Sequence, residues 1–303
     1  MTAVHTGGSG MIPRQVPLDG QAPAAPAGTG QAPSGTVAFV LQGGGSLCAA
    51  QVGALRALTE AGITPDLVVG SSAGALNGAA FAADPGIEGL DRLEALWLGL
   101  RRRNVAPIAP STLIRAALGR GEAAVSSAAL RRLLRDGIGV ARLEDAAVPV
   151  HVVTTDIDTG AAVVLSRGDA VPALLASSAF PGLYPPVRIG ERRLIDGGVS
   201  ADTPVLQAEA LGATTIYVLP SAVTEQTGHH AHAALMAAYR AVGQILVERE
   251  RRDLAAVHGS VLRLPAATTE VVSLVDFRDT PHLVRAGYSL TRDWLARQPA
   301  AMA

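Results

Sequence analysis

The chain has 303 residues, of which 49% are hydrophobic and 17% charged, with a formal net charge of −1. This length and apolar content suffice for the core of one large α/β domain, and the near-zero charge gives no electrostatic reason to expect nucleic-acid binding. Every basic residue is arginine, which excludes a lysine Schiff base, and the single cysteine, Cys48, excludes an intramolecular disulfide.

Residues 1–34 are rich in Gly, Pro, Ala and Gln and show no hydrophobic periodicity. Such a segment cannot bury enough apolar surface to order itself, so we predict a disordered tail there and one folded domain over residues 35–303. Residues 1–15 lack a charged start followed by an apolar core, and no uncharged apolar run is long enough to span a bilayer. We therefore expect a cytoplasmic protein.

Two units of strand, loop and helix open the folded region. An apolar run at 36–41 predicts a buried strand, which leads into a glycine-rich loop at 42–46 and a helix closed by Gly62. A second apolar run enters Gly-Ser-Ser-Ala-Gly at 70–74, followed by a small-residue helix that ends before Pro85.

The middle of the chain interrupts this rhythm. Leucines at helical spacing predict helices over 88–103 and 126–136, separated by a Pro- and Gly-punctuated segment at 104–125. Both helices carry arginine clusters, so this part could form a lid or a basic face that meets lipid head groups, although such a face is more often only solvated.

From residue 148 onward, strands and helices alternate again. The predicted elements are strands at 148–155 and 162–166, a helix from 169, a rigid proline-rich loop at 176–186, a strand at 192–195, a helix at 203–212, a strand at 214–219, a helix at 232–256, a strand at 261–264 and a helix at 282–296. The alternation predicts an α/β fold whose central sheet is mainly parallel and covered by helices on both faces.

The pentapeptide between Gly70 and Gly74 places Ser72 on a sharp strand-to-helix turn, where hydrolases carry their nucleophile. The two glycines let strand and helix pack closely around a strained backbone. The N-terminus of the following helix favours the negative charge that develops during acyl transfer. Ser72 is therefore the candidate nucleophile.

Asp196 is the candidate general base. Reactive groups of open α/β sheets gather at the carboxyl ends of strands, and Asp196 closes a late predicted strand. If it is partly desolvated and within hydrogen-bonding reach, its basicity rises enough to activate Ser72. Gly197 and Gly198 leave room beside it, although Asp-Gly-Gly is also a common turn.

The glycine loop after the first strand offers the third group. The N–H groups of Gly43, Gly44 and Gly45 would point at the oxyanion of a tetrahedral intermediate. In comparable sites each such donor stabilises the transition state by on the order of 3 kcal/mol. A phosphate-binding role ranks lower, because the loop lacks the G-x-G-x-x-G spacing and no acidic partner follows at a suitable strand end.

Histidine completes most serine triads, so a histidine base stays open as an alternative. The candidates are His151, His229, His230, His232, His258 and His282. None has a supporting motif, and His151 lies on an apolar strand, as is typical of a core residue.

Four blocks occur together: the glycine loop, the Ser72 turn, the proline loop and Asp196-Gly197-Gly198. In this order, and with the turn at 155–160, they resemble the patatin-like phospholipases over roughly residues 36–297. The resemblance implies a three-layer α/β/α fold, a catalytic dyad of Ser72 and Asp196, and an oxyanion hole in the glycine loop. It also implies hydrolysis of lipid acyl esters, of phospholipase A, lysophospholipase or esterase type, through an acyl-enzyme and without a metal or other cofactor.

The chain departs from the family's pattern at positions 47 and 48. The family's glycine loop usually continues with a basic residue and another glycine, where this chain has Leu47 and Cys48. Leu47 removes a cation near the oxyanion, and the side chain of Cys48 restricts the backbone. A catalytically weak lipid-binding protein therefore stays open as an alternative, as does acyl transfer. A lipid or other acyl ester is the expected partner, with peripheral membrane contact as an option.

Overall fold

The computed structural model describes residues 35–107, 125–224, 233–271 and 273–298. The predicted tail at 1–34, most of the segment at 104–125 and three of the candidate histidines, His229, His230 and His232, lie outside the described residues. The division of the chain at residue 34 and the lid hypothesis therefore stay predictions.

The strands of the described residues are Val37–Leu41 (β1), Leu67–Ser71 (β2), Val150–Asp156 (β3), Ala162–Leu165 (β4), Val187–Ile189 (β5), Arg192–Asp196 (β6), Thr215–Leu219 (β7), Val223–Thr224 (β8), Ser260–Arg263 (β9) and Thr268–Thr269 (β10). The α-helices are Ala49–Glu60 (α1), Ala73–Ala83 (α2), Ile87–Gly99 (α3), Arg102–Val105 (α4), Ala128–Gly137 (α5), Ala170–Ser177 (α6), Gly198–Ala201 (α7), Val205–Ala210 (α8), Ala233–Ala256 (α9) and Thr280–Leu295 (α10). Two 3₁₀ turns lie at Gly45–Cys48 and Leu143–Asp145.

The central sheet has the order β5-β6-β3-β2-β1-β7-β9, with β4 also paired to β3. The pairs formed among β3, β2, β1, β7 and β9 are parallel, whereas β4, β5 and β6 join through antiparallel pairs. The prediction of a mainly parallel sheet is thus confirmed.

Strand β1 shows how the sheet separates two cores. Phe39 and Leu41 belong to the larger core, which includes residues of α1, α2, α3 and α10. Ala38 and Val40, which point to the opposite face, belong to a smaller core with residues of α7 and α8, and α9 packs against it. All four side chains are fully buried. The result is the three-layer α/β/α arrangement that the resemblance implies.

The single helix predicted over 88–103 is wrong in one respect, since α3 ends at Gly99 and α4 begins at Arg102. Leu100 between them has an extended backbone and is only 6% exposed. Its burial in the larger core interrupts the helix, and Asn104 Oδ1 then accepts the N–H of Arg101 at 3.0 Å to begin the next turn. The short elements β5, β8, β10 and α7 were not predicted, because so few residues carry no detectable hydrophobic period.

No helix within the described ranges combines the length and apolar character needed to cross a membrane. The arginine-rich helix α5 buries Leu130 and Leu134 and exposes Arg132 and Arg135. This is the pattern of an amphipathic helix whose basic face meets solvent.

Strand β3 brings two distant parts of the chain together. Its residues 150–153 pair with β2, 154–156 with β6, and 152–155 with β4. Because a strand has only two edges, β2 and β6 must follow each other along the edge opposite β4. Consecutive residues of β3, Val153 and Thr154, are therefore the partners of Ser71 and Asp196.

This register corrects the reason given for expecting Asp196 near Ser72. The expectation assumed that the carboxyl ends of parallel strands share one edge of the sheet. Strand β6 is in fact antiparallel to β3, whereas β2 is parallel to it, so the carboxyl ends of β2 and β6 meet head to head.

Helices α1 and α10 cross in close contact at two glycines. A Cβ at position 287 would overlap the backbone carbonyl of Ala50, and one at position 53 would overlap that of Val284. The helix backbones can therefore approach this closely only where these positions have no side chain.

We predict that Gly287→Ala lowers the free energy of unfolding by about 1–3 kcal/mol, because the added methyl group forces the two helices apart. Chemical denaturation measures this change in the free energy of unfolding. The matched control is Gly99→Ala, at a helical glycine with open space around the added Cβ, which should be neutral or slightly stabilising. Equal stability of the wild type and Gly287→Ala would contradict the proposed steric role.

Candidate active site

Ser72 lies on the turn that joins β2 to α2. It has φ 51° and ψ −128°, and it alone among the non-glycine residues that the structure describes has a positive φ. Such a conformation costs about 1–3 kcal/mol and persists only where surrounding structure enforces it. A Cβ at position 70 would come within 2.6 Å of the Cα of Ala75, and one at position 74 would overlap the carbonyl groups of Leu41 and Gln42. Both flanking glycines are therefore sterically required.

The structure brings Ser72 and Asp196 into direct contact. Ser72 Oγ donates a hydrogen bond of 2.7 Å to Asp196 Oδ2. The other carboxylate oxygen, Oδ1, accepts the N–H of Gly198 at 2.8 Å. Gly197 packs against β3, where a Cβ would overlap the carbonyl of Val153. Each member of the Asp-Gly-Gly sequence thus has a distinct steric or hydrogen-bonding part in the site.

Burial makes the carboxyl group of Asp196 an unusually weak acid. Its side chain is 3% exposed, and desolvation raises its pKa from 3.8 to about 7. The hydrogen bonds from Ser72 and Gly198 act in the opposite direction, and the nearby charge of Asp202 adds to the rise. A carboxylate that titrates near neutral pH is a far stronger base than an exposed aspartate and is still partly ionised at pH 7.

Ser177, at the end of α6, supports the strained turn. Its Oγ accepts the backbone N–H of Ser72 at 2.9 Å and donates to the carbonyl of Val153 at 2.6 Å. The hydroxyl therefore links the turn to β3. Ser177 lies at the start of the predicted proline-rich loop, and no motif there shows which of the two adjacent serines, Ser177 or Ser178, faces Ser72.

The glycine loop lies against Ser72, since a Cβ at position 43 would sit 3.3 Å from the Cβ of Ser72. The N–H of Gly43 already donates to the carbonyl of Asp202 at 3.0 Å. Within the described part of the chain, no group accepts the N–H of Gly44 or Gly45. The oxyanion-hole hypothesis is therefore narrower than the sequence suggested, and it rests on Gly44 and Gly45.

The first turn of α2 adds a further donor. In the described residues nothing accepts the N–H of Ala73, the residue directly after Ser72. An amide in this position, at a helix N-terminus, is the second oxyanion donor of many hydrolases with this kind of turn.

Leu47 and Cys48, the departures from the family's pattern, both lie in the larger core. Cys48 has φ −71° and ψ −4°, so its side chain imposes no strain on the backbone, and the left-handed positions fall on Gly44 and Gly45 instead. Burial raises the pKa of the Cys48 thiol well above its ordinary value, which keeps it protonated.

The described histidines do not reach the Ser72–Asp196 pair. His151 is partly buried against Ser166 Oγ, 2.7 Å away, and burial lowers its pKa to about 4. His258 is 94% exposed beside Glu209, and His282 lies on the surface within 3.3 Å of a backbone carbonyl. Of the possible bases in the described residues, Asp196 is the group in contact with Ser72.

Gln42 and Asp202 also lie at the site, and no motif in the sequence predicts this. Gln42 Nε2 donates to Asp202 Oδ2 at 3.1 Å, and Gln42 Oε1 accepts the N–H of Ser221 at 3.1 Å. Both residues flank motifs that were recognised, but a glutamine before a glycine loop and an aspartate six residues after Asp196 carry no local signal of contact.

The chain is similar in sequence to several known proteins. An uncharacterized NTE family protein of Mycobacterium tuberculosis is 33% identical over 172 residues, which are 56% of this chain and 27% of that protein. Patatin-like phospholipase domain-containing protein 6 of Homo sapiens is 29% identical over 194 residues, which are 63% of this chain and 14% of that protein. The chain thus matches less than a third of the length of either relative.

The crystal structure of VipD from Legionella pneumophila shares the fold, with a TM-score of 0.50 at 16% identity, covering 88% of this chain and 67% of that one. The sequence model of the patatin-like phospholipases matches residues 39–209, which is more than half of the chain and includes both Ser72 and Asp196. The chain therefore belongs to the patatin-like phospholipase family.

Proposed function

We propose that the protein is a serine acyl hydrolase that cleaves carboxylic esters of lipids, with Ser72 as nucleophile and Asp196 as general base. The observation that carries the proposal is the 2.7 Å hydrogen bond from Ser72 Oγ to a buried carboxylate, at a strained turn before a helix N-terminus. Membership of the patatin-like phospholipase family supports lipid esters as the substrate class.

In the first half-reaction, Asp196 takes the proton of Ser72 Oγ while this oxygen attacks the ester carbonyl carbon. The carbonyl oxygen becomes an oxyanion, to which the free N–H groups of Gly44, Gly45 and Ala73 can donate. When the tetrahedral intermediate collapses, protonated Asp196 gives its proton to the departing alkoxide. The alcohol leaves, and the acyl group stays on Ser72.

In the second half-reaction, Asp196 takes a proton from water as the water oxygen attacks the acyl carbon. The second tetrahedral intermediate releases the carboxylic acid, and Ser72 Oγ recovers its proton from Asp196. The same carboxylate thus serves twice as base and twice as acid, which requires a pKa close to the working pH. Burial of Asp196 meets this requirement, because it raises the pKa to about 7.

The alternatives are less well supported. The weak lipid-binding protein was suggested by Leu47 and Cys48, which lie in the core without straining the loop. A triad would need a histidine near Ser72, and the described ones are engaged elsewhere. Acyl transfer would use the same acyl-enzyme with an alcohol in place of water.

Contact with a lipid surface is a further part of the proposal. Phe180 is 43% exposed and follows Ala179, whose carbonyl accepts the N–H of Asp196 at 3.0 Å. An exposed aromatic residue that follows a backbone contact of Asp196 is suited to enter the interface of a membrane or micelle. The substrate could then pass from the lipid surface to Ser72 without crossing water.

We predict that Ser72→Ala abolishes labelling by a fluorophosphonate probe and ester hydrolysis. Asp196→Asn should slow both by at least about 100-fold, because the base is lost. Intact-mass analysis measures the labelling, and a fluorogenic ester assay measures the hydrolysis. In the wild type, the rate of hydrolysis should rise with pH through about 7 as Asp196 ionises. His258→Ala is the control and should react at the wild-type rate. An unchanged rate in Asp196→Asn would exclude this aspartate as the base.

A second prediction does not depend on turnover. Because the pKa of Asp196 is higher in the folded protein, at about 7, than its ordinary 3.8, its contribution to stability is fully present below pH 4 and is lost as pH rises through 7. Asp196→Asn removes this loss, so the variant should gain up to about 4 kcal/mol relative to the wild type between pH 4 and pH 8. Chemical denaturation of both proteins at pH 4 and pH 8 measures the difference between their free energies of unfolding. If this difference is the same at both pH values, the raised pKa of Asp196 is contradicted.

We also predict that Phe180→Ser reduces hydrolysis of a substrate in phospholipid vesicles several-fold more than hydrolysis of a soluble short-chain ester, because it removes apolar surface from the lipid contact. The matched control is Val223→Ser, which changes a side chain that is 49% exposed on β8. Equal effects of Phe180→Ser on both substrates would remove Phe180 from the proposed lipid contact.

A further inference from the structure

Asp202, directly after α7, connects the glycine loop with the Asp-Gly-Gly segment. Its backbone carbonyl accepts the N–H of Gly43 at 3.0 Å, and its Oδ2 accepts Gln42 Nε2 at 3.1 Å. Gln42 is itself fixed by the N–H of Ser221. One aspartate therefore holds both residues that lead from β1 into the loop.

The remaining oxygen of Asp202 faces the proposed catalytic pair. A Cβ at position 198 would lie 2.9 Å from Asp202 Oδ1 and 3.1 Å from Asp196 Oδ1, so the two oxygens are no more than about 6 Å apart, close enough for like charges to affect each other. A Cβ at position 43 would overlap the same Asp202 oxygen and lie 3.3 Å from the Cβ of Ser72. Within the described residues, no group donates a hydrogen bond to Asp202 Oδ1.

The other charged groups around this oxygen do not neutralise it. Glu250 on α9 adds a second negative charge, and its carboxylate is paired with Arg263 at 3.2 Å. Arg249, the neighbouring cation on α9, donates to the carbonyls of Val199 and Ser200 at the end of α7. The Cys48 thiol, on the glycine-loop side, is neutral, because the charges of Asp202 and Asp196 add to the effect of burial on its pKa.

These surroundings raise the pKa of both carboxyl groups. Burial raises the pKa of Asp202 to about 6, and Glu250 adds to the rise, while the bond from Gln42 opposes it. The pKa of Asp196 is raised in the same way, and the negative charge of Asp202 adds to that rise. At this separation of the two oxygens, a charge on either carboxylate makes the other harder to ionise.

We propose that Asp202 is a second carboxylate of the site and acts as a positioning residue: it anchors the glycine loop through Gln42 and Gly43, and its charge makes Asp196 a better proton acceptor. This inference rests on the proposed function, since it assigns Asp196 the part of the base. The charge of Asp202 and its side-chain bond to Gln42 can each be removed alone, whereas the bond from Gly43 goes to the backbone carbonyl and is retained in both variants.

Asp202→Asn removes the charge and retains an oxygen for Gln42. We expect the acidic limb of kcat/KM, and of the fluorophosphonate labelling rate, to move to lower pH by at least about 0.5 unit, because Asp196 then loses its proton more easily. Asp136→Asn, at an exposed carboxylate on α5, is the charge control and should leave the midpoint unchanged. If the acidic limb of Asp202→Asn has the same midpoint pH as that of the wild type, the proposed effect of the Asp202 charge on Asp196 is overturned.

Gln42→Ala gives the converse test, since it keeps the charge and removes the anchor. We expect kcat on the high-pH plateau to fall several-fold, because the free N–H groups of the loop are no longer held at one position. A wild-type kcat in Gln42→Ala would overturn the positioning part.

A titration of the wild type followed by ¹³C NMR of the aspartate carboxyl carbons completes the test without turnover. We expect the Asp196 and Asp202 signals to titrate as a coupled pair, each curve showing the step of the other. Independent single-step curves would overturn the coupling, even if Asp202→Asn does not fold. If neither Ser72 labelling nor ester turnover occurs while the coupled curves are seen, the proposed function fails and the interaction between the carboxylates stands.

Discussion

The edge of β3 that β2 and β6 share is the constraint on which the site depends. Each of these strands covers only part of that edge, so their carboxyl ends meet, and the residue after β2 comes to lie beside the last residue of β6. Ser177 stabilises this junction, because its hydroxyl accepts the N–H of Ser72 and donates to the carbonyl of Val153 on β3. The contact between Ser72 and Asp196 is thus a consequence of sheet pairing.

Burial links the chemistry of Asp196 to the stability of the fold. Desolvation of a carboxylate costs free energy, and the same cost raises its pKa into the range where it can accept and return a proton near neutral pH. The site therefore trades stability for basicity. A second buried carboxylate, Asp202, adds to the rise in the pKa of Asp196, and its own Oδ2 accepts a hydrogen bond from Gln42 Nε2.

Close backbone contacts explain the concentration of glycines. At positions 43, 70, 74 and 197, an added Cβ would meet backbone or side-chain atoms of neighbouring elements at less than ordinary contact distance. The Ser72 turn, the glycine loop and Asp196 can pack this closely only because these positions have no side chain. Gly44 and Gly45 have positive φ values, and no group in the described part of the chain accepts their N–H groups.

The sequence by itself determined the α/β alternation, the strand-to-helix turn at Ser72 and the candidate residues Ser72, Asp196, Gly44 and Gly45, because hydrophobic period and steric need for glycine are local properties of a chain. Only the tertiary structure decided that β6 is antiparallel, that Gly43 is already bonded, and that Ser177, Gln42 and Asp202 belong to the site. These features depend on strand register and on burial between segments that are distant in the chain, by more than 100 residues in the contacts of Ser72 with Ser177 and of Gln42 with Asp202. No local pattern encodes such distances.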